Sequence, residues 1–267
     1  MEFKELYGKF LDTSEIKNKK IDVAYGPYPD NRFDIYYPEA GMDRCPLIIF
    51  FHGGAFFKGD KGRYQLKPAL DGLERGFAVA SVNYGLTPAR PLPAAVDDAI
   101  AAVRYIVAHA AALNVASDKI VLWGESCGAT LALIAGMAEY KSVQAIIDWY
   151  SPMDIRGLRF DRIGNAEMGD PITFLFGDVQ TEEELIGRLN PMTYVREGIP
   201  PILIEHGLSD ELVDPNVSVA FHTKLLEVLA PEEAPIYLKE GFHHGVEEYE
   251  SPENLNLMFD FIQKHIR

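Results

Sequence analysis

The chain has 267 residues, of which 48% are hydrophobic and 24% are charged, and these ordinary globular values exclude intrinsic disorder. A chain of this length buries enough surface to form a core without disulfides or a metal. Its 25 basic and 40 acidic side chains give a formal net charge of −15. That negative field disfavours nucleic acid and anionic membrane surfaces as partners.

Two cysteines, Cys45 and Cys127, are too few for a disulfide framework or a four-ligand zinc site. The N-terminus is charged from its second residue and lacks the apolar stretch of a signal peptide. No run approaches the length of a membrane span, since the apolar run Pro46–Phe51 is only as long as a strand. We therefore expect a cytoplasmic protein, and a homodimer is compatible with the sequence.

Strand and helix patterns alternate along the chain. A period of two residues predicts strands at Ile21–Tyr25 and Arg32–Tyr37. Further strands are predicted at Pro46–Phe51, Phe77–Val82, Ile120–Trp123, Val143–Trp149, Ile202–Glu205 and Ile236–Leu238. Helices are predicted at Gly62–Glu74, Ala129–Ala138, Val217–Leu229 and Leu255–Ile266. A long helix is also predicted after Pro93, with Asp97 and Asp98 in its first turn and apolar residues at helical spacing up to Ala110.

This alternation predicts a mainly parallel sheet with helices on both faces, the α/β class, within a single domain over residues 1–267. Residues 155–188 contain Gly, Asp, Arg and aromatic residues but no clear strand pattern. We interpret them as a cap or lid inserted into that domain, because long loops of this kind usually serve the site.

The pentapeptide Gly124-Glu125-Ser126-Cys127-Gly128 lies between a predicted strand and an Ala-rich predicted helix. A sharp turn there would hold the serine hydroxyl at the carboxyl edge of the sheet, with glycines keeping strand and helix apart. The G-x-S-x-G pattern often arises by chance, and such a serine can simply cap a helix. The strand–turn–helix context favours Ser126 as a nucleophile. Cys127 is the weaker alternative, because the turn presents its central residue.

A serine nucleophile needs a neighbouring base, and the chain order serine, acid, histidine places that base late in the sequence. His243 and His244 follow the last predicted strand, and either could reach Ser126. His244 is preferred because Gly245 follows it directly. His206, at the end of another strand and before a glycine, is a candidate supporting residue.

The acid is expected in the loop after the strand Ile202–Glu205, which contains Asp210, Glu211 and Asp214. The carboxyl ends of strands are where α/β sites gather. Asp210 is preferred because Asp214 stands before Pro215 and is better placed to cap the next helix.

Acyl transfer also needs donors for the oxyanion of a tetrahedral intermediate. The segment His52-Gly53-Gly54 follows the buried strand Pro46–Phe51, and its glycines allow main-chain N–H groups to turn toward a bound carbonyl oxygen. The N–H of Cys127 is the expected further donor.

Six ordered motifs then identify a family: HGGAFFKGD, SVNYGLTP, PLPAAVDDAIAAVRYI, KIVLWGESCGATLAL, PPILIEHGLSDELVDP and GFHHG. Together they resemble the hormone-sensitive-lipase-like esterases of the α/β-hydrolase superfamily, and within it the acetyl-esterase and feruloyl-esterase-like branch. The resemblance covers Arg32 to the C-terminus and implies an α/β-hydrolase fold. It implies these roles: Ser126 as nucleophile, Asp210 as acid, His244 as base, and Gly53, Gly54 and Cys127 as the oxyanion hole.

Two positions depart from the family pattern. Cys127-Gly128-Ala129 stands where the family commonly has Ala-Gly-Gly. Gly85 follows Tyr84 where the family often has an arginine. The first departure leaves the backbone donor intact but places a thiol beside the nucleophile.

These features predict a serine carboxylesterase that acts on small-molecule esters through an acyl-enzyme and requires no metal or organic cofactor. The polar composition of residues 155–188 favours short acyl chains, and fold-level analogy suggests acetyl groups on sugars or plant-polysaccharide fragments. An arylformamidase or another amide-cleaving serine hydrolase is the main alternative, and lipase action is a further one. A non-catalytic binding protein that retains the fold is a minor alternative, because such proteins typically lose the base or the acid.

Overall fold

The computed structural model describes residues 9–39, 44–154, 171–176 and 187–266. The strands are β1 Lys19–Ala24, β2 Arg32–Tyr36, β3 Cys45–Phe51, β4 Ala78–Val82, β5 Val115–Glu125, β6 Ala145–Trp149, β7 Ile202–Gly207 and β8 Ile236–Lys239. They form one sheet in the order β1-β2-β4-β3-β5-β6-β7-β8. β2 runs antiparallel to β1 and β4, and every other neighbouring pair is parallel.

Six α-helices lie in the described part of the chain. They are α1 Lys67–Leu70, α2 Pro93–Ala108, α3 Cys127–Ala138, α4 Pro171–Phe176, α5 Asn216–Leu225 and α6 Pro252–His265. None of them has the length and apolar run needed to cross a bilayer.

The sheet carries a hydrophobic core on each face because side chains alternate along every strand. Leu47, Ile49 and Phe51 of β3 join the core that helices α2, α3 and α5 cover. Ile48 and Phe50 point the other way, into the core that α1 and α6 cover. The predicted mainly parallel sheet with helices on both faces is therefore confirmed.

Several element predictions are wrong in detail. The helix predicted at Val217–Leu229 is α5, which ends at Leu225, and α2 begins at Pro93, so Asp97 lies beyond its first turn. The range Gly62–Glu74 is not one helix but α1 flanked by the 3₁₀ turns Tyr64–Leu66 and Asp71–Leu73. Pro68 lacks the N–H that a longer helix would need. β5 is longer than predicted and runs from Val115 up to Glu125, immediately before Ser126. The predicted cap over residues 155–188 lies mostly outside the described residues and stays a prediction.

The parallel strands bring one set of loops together. Because β3, β5, β7 and β8 run in the same direction, the segments that follow them all leave the same edge of the sheet. Those segments contain the predicted nucleophile, acid, base and oxyanion residues. The topology therefore places the candidate site at the carboxyl edge of the sheet, as expected for α/β folds.

Candidate active site

Ser126 occupies a strained turn between β5 and α3. Its backbone has φ 54° and ψ −130°, a conformation that costs an L-residue on the order of 1–3 kcal/mol. Its N–H donates to the carbonyl of Trp149 at 2.9 Å, and its own carbonyl accepts from Ala129 N at 3.0 Å. These bonds hold the turn to the neighbouring strand β6 and to the start of the helix. The side chain of Ser126 is thereby fixed at the end of the sheet.

The turn requires glycine on both sides of Ser126, at Gly124 and at Gly128. A Cβ on Gly128 would lie 2.1 Å from the carbonyl oxygen of Phe51 and 2.4 Å from that of His52. A Cβ on Gly124 would lie 2.4 Å from the carbonyl oxygen of Gly128. All three contacts involve backbone oxygens, so none can be relieved by moving a side chain.

Gly128→Ala is therefore expected to lower the free energy of unfolding by about 3 kcal/mol, the upper end of overpacking costs. Gly187→Ala is the control, because a Cβ there meets no described atom within 4 Å. It is expected to change stability by less than about 0.5 kcal/mol. Chemical denaturation of both variants measures the difference, and equal stability would contradict the backbone clash.

Ser126, His244 and Asp210 come together although they are far apart in sequence. His244 Nε2 lies 2.8 Å from Ser126 Oγ, and His244 Nδ1 lies 2.6 Å from Asp210 Oδ2. Ser126 and His244 are only 6% and 3% exposed, and the side chain of Asp210 is fully buried. If His244 Nδ1–H donates to Asp210, the lone pair of Nε2 faces the serine hydroxyl. This arrangement lets the imidazole accept the proton of Ser126.

Asp210 is held by a set of donors. Its Oδ1 accepts the N–H groups of Leu212 and Val213 at 2.8 and 2.9 Å. Its Oδ2 lies 3.2 Å from His206 Nε2 as well as close to His244. Burial acts to raise the pKa of Asp210, but the hydrogen bonds from His206 and His244 outweigh it and hold the pKa well below the usual range. The carboxyl of Asp210 is therefore ionised at neutral pH.

His206 supports the acid from behind. Its ring is fully buried, with Nδ1 2.7 Å from Ser218 Oγ and Nε2 3.2 Å from the carbonyl of Val213. A hydroxyl proton donated from Ser218 to Nδ1 leaves Nε2–H to face Asp210. The sequence had indicated His206 as a supporting residue by its place at a strand end, and the structure puts it against Asp210.

The rejected candidates lie elsewhere. His243 is exposed, and Glu248 binds both its backbone N–H and its ring Nδ1, the latter at 2.9 Å. That hydrogen bond raises the pKa of His243. Asp214 Oδ1 accepts the N–H of Asn216, the first residue of α5, at 2.9 Å, so this carboxylate is used at the start of the helix rather than beside His244.

The structure corrects the prediction for Gly53. Its N–H donates to Glu125 Oε1 at 2.6 Å, so this donor is already engaged within the protein. Gly54 has φ 127°, and a Cβ there would lie 1.9 Å from the carbonyl oxygen of Lys58, so only glycine fits. Cys127 is the first residue of α3, where a helical N–H has no carbonyl of its own helix to bind. The N–H groups of Gly54 and Cys127 thus stay the predicted oxyanion donors.

The burial and the pKa of the Cys127 thiol argue against it as the nucleophile. It is fully buried, and its Sγ lies 3.4 Å from Phe56 N and 3.7 Å from the Tyr84 hydroxyl. Burial raises the pKa of Cys127 to about 12, despite the opposing contacts from Phe56 and Tyr84. A thiol with this pKa carries almost no thiolate at neutral pH, and thiolate is the reactive form.

Arg90 fills the space left by the departure at Gly85. A Cβ on Gly85 would lie 3.0 Å from Arg90 Nη1, and the N–H of Gly85 donates to Asp98 Oδ2 at 2.8 Å. Arg90 also binds both carboxylate oxygens of Asp98, at 2.5 and 3.1 Å. An arginine five residues later therefore anchors this loop to helix α2.

Glu205 is a buried carboxyl in the strand that leads to the acid loop. It accepts from Asn254 Nδ2 at 2.8 Å and lies 3.2 Å from Lys239 Nζ. Burial raises the pKa of Glu205 to about 7, although Asn254 and Lys239 act in the opposite direction. A carboxyl whose pKa is raised on folding stabilises the fold below its unfolded pKa, and that contribution is lost as pH rises through 7.

The free energy of unfolding of Glu205→Gln is therefore expected to rise by about 2–3 kcal/mol relative to that of the wild type as pH rises from 5 to 8. Urea denaturation of both proteins at a series of pH values measures the difference. Glu232→Gln, at an exposed position, is the control and should leave the pH dependence unchanged. A constant difference between Glu205→Gln and the wild type across this range would contradict the raised pKa.

Sequence reasoning missed two residues of this site. Glu125 stands inside the pentapeptide but was treated only as a spacer, and Tyr150 follows β6 without any motif. Glu125 is fully buried and accepts from the Tyr150 hydroxyl at 3.1 Å. A carboxylate beside the nucleophile in a buried turn was the available signal for Glu125. Among the described residues, no three His, Cys, Asp or Glu side chains are grouped so as to hold a metal.

Known structures share this architecture. A truncated carbohydrate esterase from the gut microbiota superposes with a TM-score of 0.80 at 24% identity, covering 96% of this chain and 99% of that one. The esterase Est2 of Thermogutta terrifontis with bound propionate gives 0.73 at 23% identity, covering 94% and 95%. At these identities the likeness shows the fold alone, and the chain has the α/β-hydrolase fold.

A family model narrows this class. The model of the BD-FAE family matches residues 33–225, well over half of the chain. The chain belongs to the BD-FAE family.

Curated relatives are similar over shorter stretches. Esterase LipI of Mycobacterium tuberculosis is 33% identical over 117 residues, 43% of this chain and 37% of LipI. The probable isoprenylcysteine alpha-carbonyl methylesterase ICMEL1 of Oryza sativa subsp. japonica is 25% identical over 247 residues, 83% of this chain and 56% of ICMEL1. The chain thus spans less than two thirds of the length of these relatives.

Proposed function

We propose that the protein is a serine carboxylesterase that hydrolyses short-chain acyl esters of small molecules. The observation that carries this proposal is the continuous line of contacts from Ser126 Oγ to His244 Nε2, at 2.8 Å, and from His244 Nδ1 to Asp210 Oδ2, at 2.6 Å. Membership of the BD-FAE family and relatives named as esterases support the same reaction.

The first half of the reaction acylates the enzyme. His244 Nε2 takes the hydroxyl proton while Ser126 Oγ attacks the ester carbonyl carbon, and the carbonyl electron pair moves to its oxygen. The N–H groups of Gly54 and Cys127 stabilise that oxyanion. The intermediate then collapses, the bond to the alcohol oxygen breaks, and His244 returns the proton to that oxygen. Asp210 stabilises the imidazolium while it exists.

The second half of the reaction releases the carboxylic acid product from Ser126. A water loses a proton to His244 Nε2 and adds to the acyl carbon, giving a second oxyanion. Collapse breaks the bond to Ser126 Oγ, which recovers its proton from the imidazole. The original serine proton leaves with the alcohol and a proton of the water replaces it, so the enzyme regains its starting state, and only chain groups, the ester and one water take part in this scheme.

Two observations favour small acyl groups and sugar esters. The sequence of residues 155–188 is polar rather than apolar, whereas a groove for long acyl chains needs an apolar cover. Among the structures of similar fold, one is described as a carbohydrate esterase, and Est2 is described with propionate and with butyrate bound. We propose acetyl groups on sugars or plant-polysaccharide fragments as the substrate class.

A substrate panel tests this function. Purified protein is assayed with p-nitrophenyl acetate, butyrate, octanoate and dodecanoate, with acetylated xylan, with N-formylkynurenine and with a peptide anilide. The proposal expects kcat/KM to be highest for acetate or butyrate and acetate to be released from xylan. A preference for dodecanoate would favour a lipase, and a preference for N-formylkynurenine an arylformamidase. No turnover of any ester would contradict the proposed function.

A further inference from the structure

Glu125 connects two parts of the candidate site that the mechanism treats separately. Its Oε1 accepts the N–H of Gly53, in the loop after β3, at 2.6 Å. Its Oε2 accepts the hydroxyl of Tyr150, in the segment after β6, at 3.1 Å. One carboxylate between Gly124 and Ser126 therefore joins three segments at the edge of the sheet.

The contact to Gly53 fixes the loop that carries an oxyanion donor. A Cβ on Gly53 would lie 2.2 Å from Glu125 Oε1, so the close approach needs glycine. The next residue, Gly54, supplies a proposed oxyanion N–H. Anchoring the N–H of Gly53 therefore sets the direction of the neighbouring donor.

The contact to Tyr150 reaches the base. The Tyr150 ring lies edge-to-face against the imidazole of His244, with centroids 4.7 Å apart and an interplanar angle of 60°. Tyr150 has φ 44°, a left-handed conformation, and its N–H donates to the carbonyl of Glu205 at 2.8 Å. The backbone and the hydroxyl of Tyr150 are thus both held, and its ring restricts the rotation of His244.

We propose that Glu125 is a positioning residue that aligns the oxyanion loop and, through Tyr150, the imidazole of His244. This inference rests on the proposed esterase function. Both atoms of the carboxylate are used, and Glu125 is fully buried, where an unpaired donor or acceptor is costly. Glutamine keeps the size but replaces one of the two carboxylate oxygens by an NH2 donor, so one of the two donors, Gly53 N–H or the Tyr150 hydroxyl, loses its acceptor.

Misalignment of the Gly54 N–H should weaken stabilisation of the transition state more than substrate binding. The oxyanion forms only after attack, so a displaced Gly54 N–H lowers kcat and leaves KM nearly constant. Displacements near 1 Å cost up to about 100-fold in rate. A residue that only supports the fold would lower stability without this division between kcat and KM.

The test compares three variants with p-nitrophenyl acetate as substrate. Glu125→Gln is expected to lower kcat by about 10–100-fold with KM within about threefold of wild type. Its affinity for a trifluoromethyl ketone, which forms an oxyanion on the serine, should fall in parallel with kcat/KM. Tyr150→Phe, which keeps the ring on His244, should lower kcat by about 3–10-fold. Asp148→Asn, a buried carboxyl that accepts from Ser151 N, is the control and should keep the wild-type kcat.

The outcomes separate this inference from the proposed function. Wild-type protein without ester turnover would contradict the proposed function itself. An active wild type with Glu125→Gln of unchanged kcat and unchanged ketone affinity would overturn the positioning role. Equal losses of kcat in Glu125→Gln and Asp148→Asn would also overturn the positioning role of Glu125. Should Glu125→Gln fail to fold, Tyr150→Phe decides: a wild-type kcat would overturn the role, and the expected loss at constant KM would support it.

Discussion

Ser126→Ala is expected to lower kcat for p-nitrophenyl acetate by about 10⁴–10⁶-fold, because it removes the atom that forms the acyl-enzyme. Alanine keeps the Cβ in the strained turn, so the fold and the free energy of unfolding should change little. Steady-state hydrolysis and denaturation of the same preparation measure both properties. Substantial turnover by a folded Ser126→Ala variant would contradict the assignment.

Cys127→Ala is the matched comparison for Ser126→Ala. The thiol is buried against Phe56 and Tyr84, and the backbone N–H survives the substitution. This variant is expected to remain active and to form an acyl-enzyme. Loss of all turnover in Cys127→Ala together with full activity in Ser126→Ala would assign the nucleophile to the sulfur instead.

His244→Gln is expected to lower kcat by about 10⁴-fold or more, because it removes the imidazole that lies 2.8 Å from Ser126 Oγ and would take the serine proton. The neighbouring histidine provides the control. His243 is bound to Glu248 and exposed, so His243→Gln should retain wild-type turnover. Hydrolysis by the two variants under identical conditions makes the comparison.

A reversed pattern would contradict the assignment of the base. If His243→Gln lost activity and His244→Gln retained it, the imidazole 2.8 Å from Ser126 would not be the proton acceptor. The expected pattern would also separate two residues that sequence spacing alone could scarcely distinguish.

The candidate triad was predictable because each member sits in a local pattern. Ser126 lies in a glycine-flanked turn between a strand and a helix, and Asp210 and His244 follow predicted strands. Parallel strands bring such loops to one edge of a sheet, so their proximity follows from the alternating pattern. The distances confirm that proximity, while the catalytic roles stay predictions.

The residues that support the triad were less predictable because their roles depend on tertiary contacts. Glu125 meets Gly53 across 72 residues of sequence, and that contact uses the N–H that the sequence had assigned to the oxyanion. Tyr150 reaches His244 by aromatic packing, for which no sequence motif exists. Arg90 reaches Gly85 and Asp98 only because the loop folds back on α2.

The most direct test of the central claim is covalent labelling with a fluorophosphonate, followed by peptide mass spectrometry. If Ser126 is a nucleophile activated by His244, wild-type protein should gain one adduct, located on Ser126. Labelling should be absent in Ser126→Ala and strongly slowed in His244→Gln. An adduct on Cys127, or no adduct on folded wild-type protein, would contradict the account.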